Sequence, residues 1–472
     1  MASARKVRHV TSINDLTNAE IERVFDLAER YLKSLPDPSL PYRIGGSTDE
    51  GKGRILASLF YEPSTRTRLS FESAMLRLGG QFITSADPAT SSVAKGESLA
   101  DTVRVVSNYS DVIVLRHPRD GAARLAAEYS SVPIINGGDG SHEHPTQTLC
   151  DVFTLRKENK HLKNLNVVVS GDLKGSRTIH SFVYALARFG ANIMLMPAKG
   201  MGLPDHVDAR LREEFNCRPL PKDKYEDTSI DALYVTPDKP HQLSLIPNVE
   251  FDENADVKIR KKIDAFYVTR FQKERWAEAS ADYPKIDAKF LKASKYSETS
   301  VLHPLPRVGE LDIALDTDSR ALYFRQAAYG VPIRMALIAL LTDIRESERL
   351  ARFDSGFDAA DQPTYDQPTD IGIRCSNANC IVHDPMERQY TRNRFLFVRG
   401  AGARKYRLRC LYCESDKDEF VAVNAGKRKI LEGDDEISEA VAHDRQSLLL
   451  FADAAEAGKS GYAEKPPRKK SA

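Results

Sequence analysis

The sequence predicts an α/β protein with two doubly wound parallel-sheet units and a small C-terminal β domain organised by cysteines. Short apolar runs alternate with helix-patterned segments, and that alternation gives parallel sheets covered by helices. The alternation restarts near Asn166, which argues for a second unit. Near the C-terminus Cys375, Cys380, Cys410 and Cys413 form C-x4-C and C-x2-C pairs, the spacing of a metal module.

The elements follow in order. Thr17-Asn-Ala-Glu20 is a capping-box pattern, and Ile21, Val24, Phe25, Ala28 and Leu32 make one apolar face, so a helix is expected over Asn18–Leu32. Ile55–Phe60 reads as a buried strand that runs into Ser64-Thr-Arg-Thr-Arg68 and a helix closed by Gly79-Gly80. Asp111–Arg116 is a second strand. Asn166–Ser170 opens the second unit, followed by a loop through Arg177 and a helix to Phe189. Asp231–Thr236 and Asp264–Thr269 resemble each other, as two buried strands would, and the polar, proline-interrupted stretch 237–262 reads as an insertion. A helix is expected over Ile333–Thr342, and helix-like spacing recurs over Ile437–Ala455.

Bulk properties set limits. The 472 residues imply roughly three domains, and a net charge of +1 gives no global attraction to nucleic acid or anionic membranes. No secretory signal and no membrane-length apolar run is evident, so the chain is read as cytoplasmic. Cys150 and Cys217, outside the metal spacing, read as buried thiols.

Anion binding must therefore come from clustered arginines. Ser64–Arg68 follows a strand and opens a helix, where backbone N–H groups, hydroxyls and guanidinium make a phosphate cradle. Alone, such a start is often only a capped helix. Its company is more telling: Arg116-His-Pro, the Gly140–Gln147 loop with His144, Arg177, Arg270-Phe-Gln272 and His303-Pro-Leu-Pro-Arg307 all fall at strand ends.

This ordered set resembles the aspartate/ornithine carbamoyltransferase family over roughly Val10–Ile344. The His303–Arg307 loop points to the aspartate branch, since the ornithine branch usually has a cysteine there. The resemblance implies two domains with the active site between them and carbamoyl transfer from carbamoyl phosphate to L-aspartate. It implies Ser64, Thr65, Arg66 and Thr67 at the phosphate, and Thr67, Arg116 and His144 as an oxyanion hole. Gln147 would hold the carbamoyl amide, and Leu305 and Pro306 would orient the reacting groups. Arg177, Arg270 and Gln272 would clamp aspartate. Ser91 and Lys95 would enter a neighbouring subunit's site, which implies a homotrimer with shared active sites. No cofactor is expected in catalysis.

Arg374–Ile381 and Leu408–Glu414 resemble the zinc domain of that family's regulatory chain. Four thiolates complete the tetrahedral shell of a structural Zn²⁺, so His383 is left out of the ligand set. Higher assembly through this domain is left open. The expected division is 1–155 carbamoyl-phosphate-binding domain, 156–344 aspartate-binding domain, 345–370 linker, 371–423 zinc domain and 424–472 C-terminal helix with disordered tail. The competing expectations are a non-catalytic assembly subunit and a transcarbamoylase for another amine such as ornithine.

Overall fold

The computed structural model describes residues 7–86, 92–157, 163–220, 231–236, 249–251, 257–259, 264–270, 286–288, 291, 299–342, 344, 364–368, 372–399, 406–431 and 433–462. The first unit comprises α1 (Asn18–Ser34), β1 (Ile55–Phe60), α2 (Thr65–Arg77), β2 (Gln81–Ser85), α3 (Leu99–Val106), β3 (Val112–His117), α4 (Ala122–Tyr129), β4 (Ile134–Asp139) and α5 (Pro145–Lys157). α1 starts as its capping box requires, with Thr17 and Glu20 each bonded to the other's backbone amide. The strands are parallel in the order β2-β1-β3-β4. The chain leaves β1 toward one side and returns on the other, so the strand order reverses between β1 and β3. That crevice is where open α/β sheets bind ligands.

The second unit repeats the device. It contains β5 (Asn166–Gly171), α6 (Arg177–Arg188), β6 (Asn192–Pro197), α7 (Asp205–Glu213), β7 (Ala232–Val235), the hairpin β8 (Val249–Phe251) and β9 (Val257–Ile259), β10 (Ala265–Val268), β11 (Ser300–Leu302) and α8 (Tyr323–Leu341). Its parallel sheet has the order β11-β10-β7-β5-β6 and reverses between β5 and β7. The two similar segments are adjacent strands, Ala232 opposite Ala265 and Val235 opposite Val268. Tyr234 and Tyr267 stack with ring centroids 4.1 Å apart. The hairpin β8–β9 lies within the insertion.

α8 differs from expectation. It starts ten residues before Ile333 and carries Gly330 and Pro332 in its interior. Both residues are poor helix formers, but burial of Tyr323, Gln326, Tyr329, Ile333, Leu337 and Leu341 on several faces overrides propensity. α8 packs on α1, α2 and α5, so the last helix of the second unit lies in the core of the first.

Strand alternation assigns the two faces of the first sheet. Leu56, Phe60, Val112 and Val114 face α1, α2 and α8 in one core cluster. Ala57, Leu59, Ile113 and Leu115 belong to another, with Leu99, Val103 and Leu125 of α3 and α4 and, continuously, Ile381, Phe395, Cys410 and Tyr412 of the C-terminal module.

That module contains β12 (Thr364–Pro368), β13 (Arg392–Arg399), β14 (Tyr406–Cys410) and β15 (Asp416–Lys417), antiparallel in chain order. A further sheet, β17-β16-β18, follows from β16 (Val421–Asn424), β17 (Lys429–Ile430) and β18 (Leu448–Phe451), with α9 (Asp434–His443) and α10 (Ala454–Lys459). Two expectations are corrected here. β12 falls in the expected linker, because Tyr365 is buried and its strand pairs with β13. The helix over 437–455 is broken: α9 stops at His443, and Leu448–Phe451 pairs as β18 with β16. Four consecutive apolar residues fit a strand or a buried helix equally well, and the available partner edge decides. The C-terminal residues from 463 lie outside the described residues, as does the disorder expected of them.

Candidate active site

The carboxyl ends of both sheets meet in a cleft of about 610 Å³. Its lining includes Ser64, Thr65, Arg66 and Thr67 at the start of α2, Arg116 ending β3, and His144 and Gln147 at the start of α5. From the second unit come Arg177 opening α6, Arg270 after β10, and His303, Leu305 and Pro306 after β11. Lys95 is exposed and is not among the lining residues. Ser91 and Gln272 lie outside the described residues. Cys150 is buried as expected, whereas Cys217 is only half-buried.

Local chemistry explains why the helix starts matter. Thr17 and Ser98 cap α1 and α3 with side-chain hydrogen bonds, whereas the side chains of Ser64 and Ser176, opening α2 and α6, cap no backbone amide. Each of these two helices also holds an arginine in its first turn, where the helix dipole disfavours a cation. Uncapped N–H groups beside guanidinium favour an anion.

Five arginines line the cleft, Arg66, Arg116, Arg177, Arg270 and Arg334, against the carboxylates Glu62 and Asp172. Glu62 joins the two units: it pairs with Arg116 at 3.3 Å and with Arg177 at 2.9 Å. Arg177 also donates to the Gly140 carbonyl at 2.6 Å, and Arg66 to the Leu305 carbonyl at 2.6 Å. Burial, helped by Arg177, lowers the Arg116 guanidinium to about 9. Burial, then Arg116, Arg177 and Arg334, holds the His144 imidazole well below its ordinary value. His144 is thus neutral and suited to hydrogen-bond donation rather than to titration. Its Nδ1 has no hydrogen-bond partner among the described residues.

Behind the lining lies a buried network that the sequence did not reveal. Asp151 accepts from Gln147 Nε2 at 2.8 Å, Gln326 Nε2 at 2.6 Å and the Tyr267 hydroxyl at 3.1 Å. Gln326 in turn accepts the His303 amide at 3.0 Å. Asp151 therefore holds the amide nitrogen of Gln147 and fixes the orientation of that side chain. Burial pushes the Asp151 carboxyl up to about 7 against the pull of these hydrogen bonds. Leu305 has φ +53°, strained for a side chain of its size, and its N–H is held by His303 Nδ1 at 2.7 Å.

Cys375, Cys380, Cys410 and Cys413 are buried, free of disulfides, and have sulfurs within 4.8 Å of one another. The Cys375–Cys413 and Cys380–Cys410 separations are 3.5 and 3.9 Å. Tetrahedral coordination at a metal–sulfur distance of about 2.3 Å requires about 3.8 Å. The cluster can hold a metal ion. His383 points elsewhere, its Nε2 bonded to the Cys375 carbonyl at 2.8 Å.

Next to these cysteines, Asn377 and Asn379 both donate to Asp120 at 2.8 Å, and the Ile381 amide donates to the Asp120 carbonyl at 2.9 Å. Glu414, adjacent to Cys413 and fully buried, pairs with Arg124 of α4 at 3.0 Å and with Arg210 of α7. One carboxylate thus ties the cysteine module to both α/β units. Sequence reading gave no sign of Glu62, Asp151, Gln326 or Glu414, because each acts through contacts distant in the chain.

Comparison with known proteins agrees with this geometry. The family model described as aspartate/ornithine carbamoyltransferase, carbamoyl-P binding domain, matches residues 8–157, and the Asp/Orn binding domain model matches 163–341. The aspartate carbamoyltransferase catalytic subunit of Thermoplasma acidophilum is 41% identical over 338 residues, covering 71% of this chain and 97% of that one. That of Methanocaldococcus jannaschii is 42% identical, covering 72% and 100%. The crystal structure of the M. jannaschii catalytic subunit has a TM-score of 0.56 at 40% identity, covering 72% of this chain and all of that one. The Trypanosoma cruzi enzyme in complex with carbamoyl phosphate and aspartate has a TM-score of 0.55 at 30% identity, covering 71% and 97%. The chain belongs to the aspartate/ornithine carbamoyltransferase family. Within that family it is an enzyme of the aspartate type, an aspartate carbamoyltransferase. Among the described residues no helix is long and apolar enough to cross a membrane.

Proposed function

We propose that this cleft carries out the transfer with the residue roles that follow. The observation that carries the reading is the meeting of two uncapped helix starts, one from each unit, each with an arginine in its first turn. Ser64, Thr65, Arg66 and Thr67 bind the phosphate of carbamoyl phosphate. Thr67, Arg116 and His144 donate to the carbonyl oxygen, and Gln147 accepts from the carbamoyl amide. Arg177 and Arg270, with Gln272, hold the two carboxylates of L-aspartate, and Leu305 and Pro306 orient the amine and the carbamoyl group. The amine nitrogen bonds to the carbonyl carbon as the carbon–oxygen bond to phosphate breaks, and the leaving phosphate takes the amine proton. Catalysis is positioning and charge stabilisation, with no covalent intermediate. The complex named for the T. cruzi relative supports these substrates.

Three further readings complete the proposal. The four cysteines hold a structural zinc in a regulatory-chain-like domain fused to the catalytic chain, in a cytoplasmic enzyme. The domains divide near residue 155 and near residue 344. The catalytic unit forms a homotrimer in which Ser91 and Lys95 complete a neighbour's site. Exposed Lys95, the edge strand β2, and exposed Leu69, Leu76 and Ile83 support that assembly. The test is product formation from carbamoyl phosphate with L-aspartate or L-ornithine. Turnover with L-aspartate alone is expected; turnover with L-ornithine, or none in folded, zinc-loaded protein, contradicts the reading.

A further inference from the structure

Arg334 differs from the other cleft arginines. It is 4% exposed, it comes from α8, and it is among the residues lining the cleft. Its Nη1 donates to the Cys150 sulfur at 3.4 Å and its Nη2 to the Thr146 hydroxyl at 3.5 Å, while Nε has no hydrogen-bond partner among the described residues. The guanidinium carbon lies 4.9 Å from the centre of the Phe71 ring. All of these partners are neutral. Asp151 feels the Arg334 charge but makes its hydrogen bonds to Gln147, Gln326 and Tyr267, and burial keeps its carboxyl raised to about 7. Among the described residues no carboxylate forms an ion pair with Arg334.

A buried cation without a counter-ion destabilises a fold, so such groups are ordinarily paired. Here α8 also makes room for the cation. A Cβ on Gly330, one turn earlier, would stand 2.3 Å from Arg334 Nη1. The partners locate the charge: Phe71 belongs to α2 and Thr146 and Cys150 to α5, the two helices whose first turns line the cleft.

We propose that Arg334 is an electrostatic positioning residue for the phosphoryl end of the substrate, a buried cation whose missing counter-ion is the bound dianion. The proposal rests on the reading of the cleft given above. Arg334 raises the positive potential where α2 and α5 begin, from a position that water cannot screen well. It also adds to the charges that keep His144 neutral.

The test uses the full-length chain with inorganic phosphate as probe, comparing wild type, Arg334→Met, Arg334→Gln and Arg334→Lys. Without phosphate, Arg334→Met should melt no lower than wild type, because it removes an unpaired charge. Phosphate should raise the wild-type midpoint clearly and the Met and Gln midpoints much less, with binding about tenfold weaker. In steady state the KM for carbamoyl phosphate should rise about tenfold while the KM for L-aspartate stays unchanged, and Arg334→Lys should recover part of the loss. Unchanged phosphate binding in Arg334→Met overturns the proposal. So does a Met variant that melts lower or fails to fold, which would make the arginine a structural group. Wild-type protein that binds no phosphate overturns the reading of the whole cleft and this proposal with it.

Discussion

Arg66 and Arg177 stand in the first turns of α2 and α6, where local helix chemistry would place an acid or a cap. Arg66 was legible in the sequence as part of the Ser/Thr/Arg run that opens a helix, and Arg116, His144 and Arg177 became legible through their company at strand ends. Glu62, Asp151, Gln326 and Arg334 break no local rule; their roles exist only after folding brings distant partners to them. Two predictions belong to this scale. His144 donates as a neutral imidazole, so His144→Ala should lower kcat by about 10²–10³ while leaving the shape of its pH profile unchanged. A lost limb near the ordinary histidine value would show that it titrates in catalysis. The Asp151 carboxyl is raised to about 7, so between its ordinary value and 7 the folded state holds a proton that the unfolded state has released. Its contribution to stability therefore falls as pH rises through that window. The melting midpoint of wild type minus that of Asp151→Asn should be larger at pH 5 than at pH 8.

At the scale of elements, most strands and the first helix follow from pattern: β1 spans Ile55–Phe60, and the alternation of Leu56 and Phe60 with Ala57 and Leu59 assigns the faces. The failures have physical causes. α8 keeps Gly330 and Pro332 because burial outweighs propensity, and Leu448–Phe451 becomes a strand because β16 offers it an edge. Neither partner is visible in a local window. The contact that docks the cysteine module was equally hidden, since Glu414 is a single acid in a turn. Its removal leaves Arg124 and Arg210 buried with their main counter-charge gone. Glu414→Ala should cost about 3–5 kcal/mol in chemical denaturation, against a small effect for an exposed acid such as Asp435. A loss below 1 kcal/mol would contradict the role given to that ion-pair hub.

At the scale of the whole molecule, two sheets, a shared helix and the cysteine module form one connected body through the cores around α8 and around Tyr412. The fold class and the order of the units were legible because hydrophobic alternation is local; the way the module sits on α3, α4 and α7 was not. Glu387 of that module accepts from the Leu99 and Ala100 amides at the start of α3. Removing the metal with a chelator should therefore speed hydrogen exchange at Leu99 and Ala100 as well as in the module, and unchanged exchange there would mean that docking survives without metal. The central claim is a division of labour, with one unit binding phosphate and the other binding the amino acid. Steady-state kinetics of Arg66→Ala and Arg270→Ala, each with both substrates varied, tests it most directly. The account predicts that Arg66→Ala raises the KM for carbamoyl phosphate and Arg270→Ala the KM for L-aspartate; both substitutions acting on the same substrate, or neither acting, would contradict it.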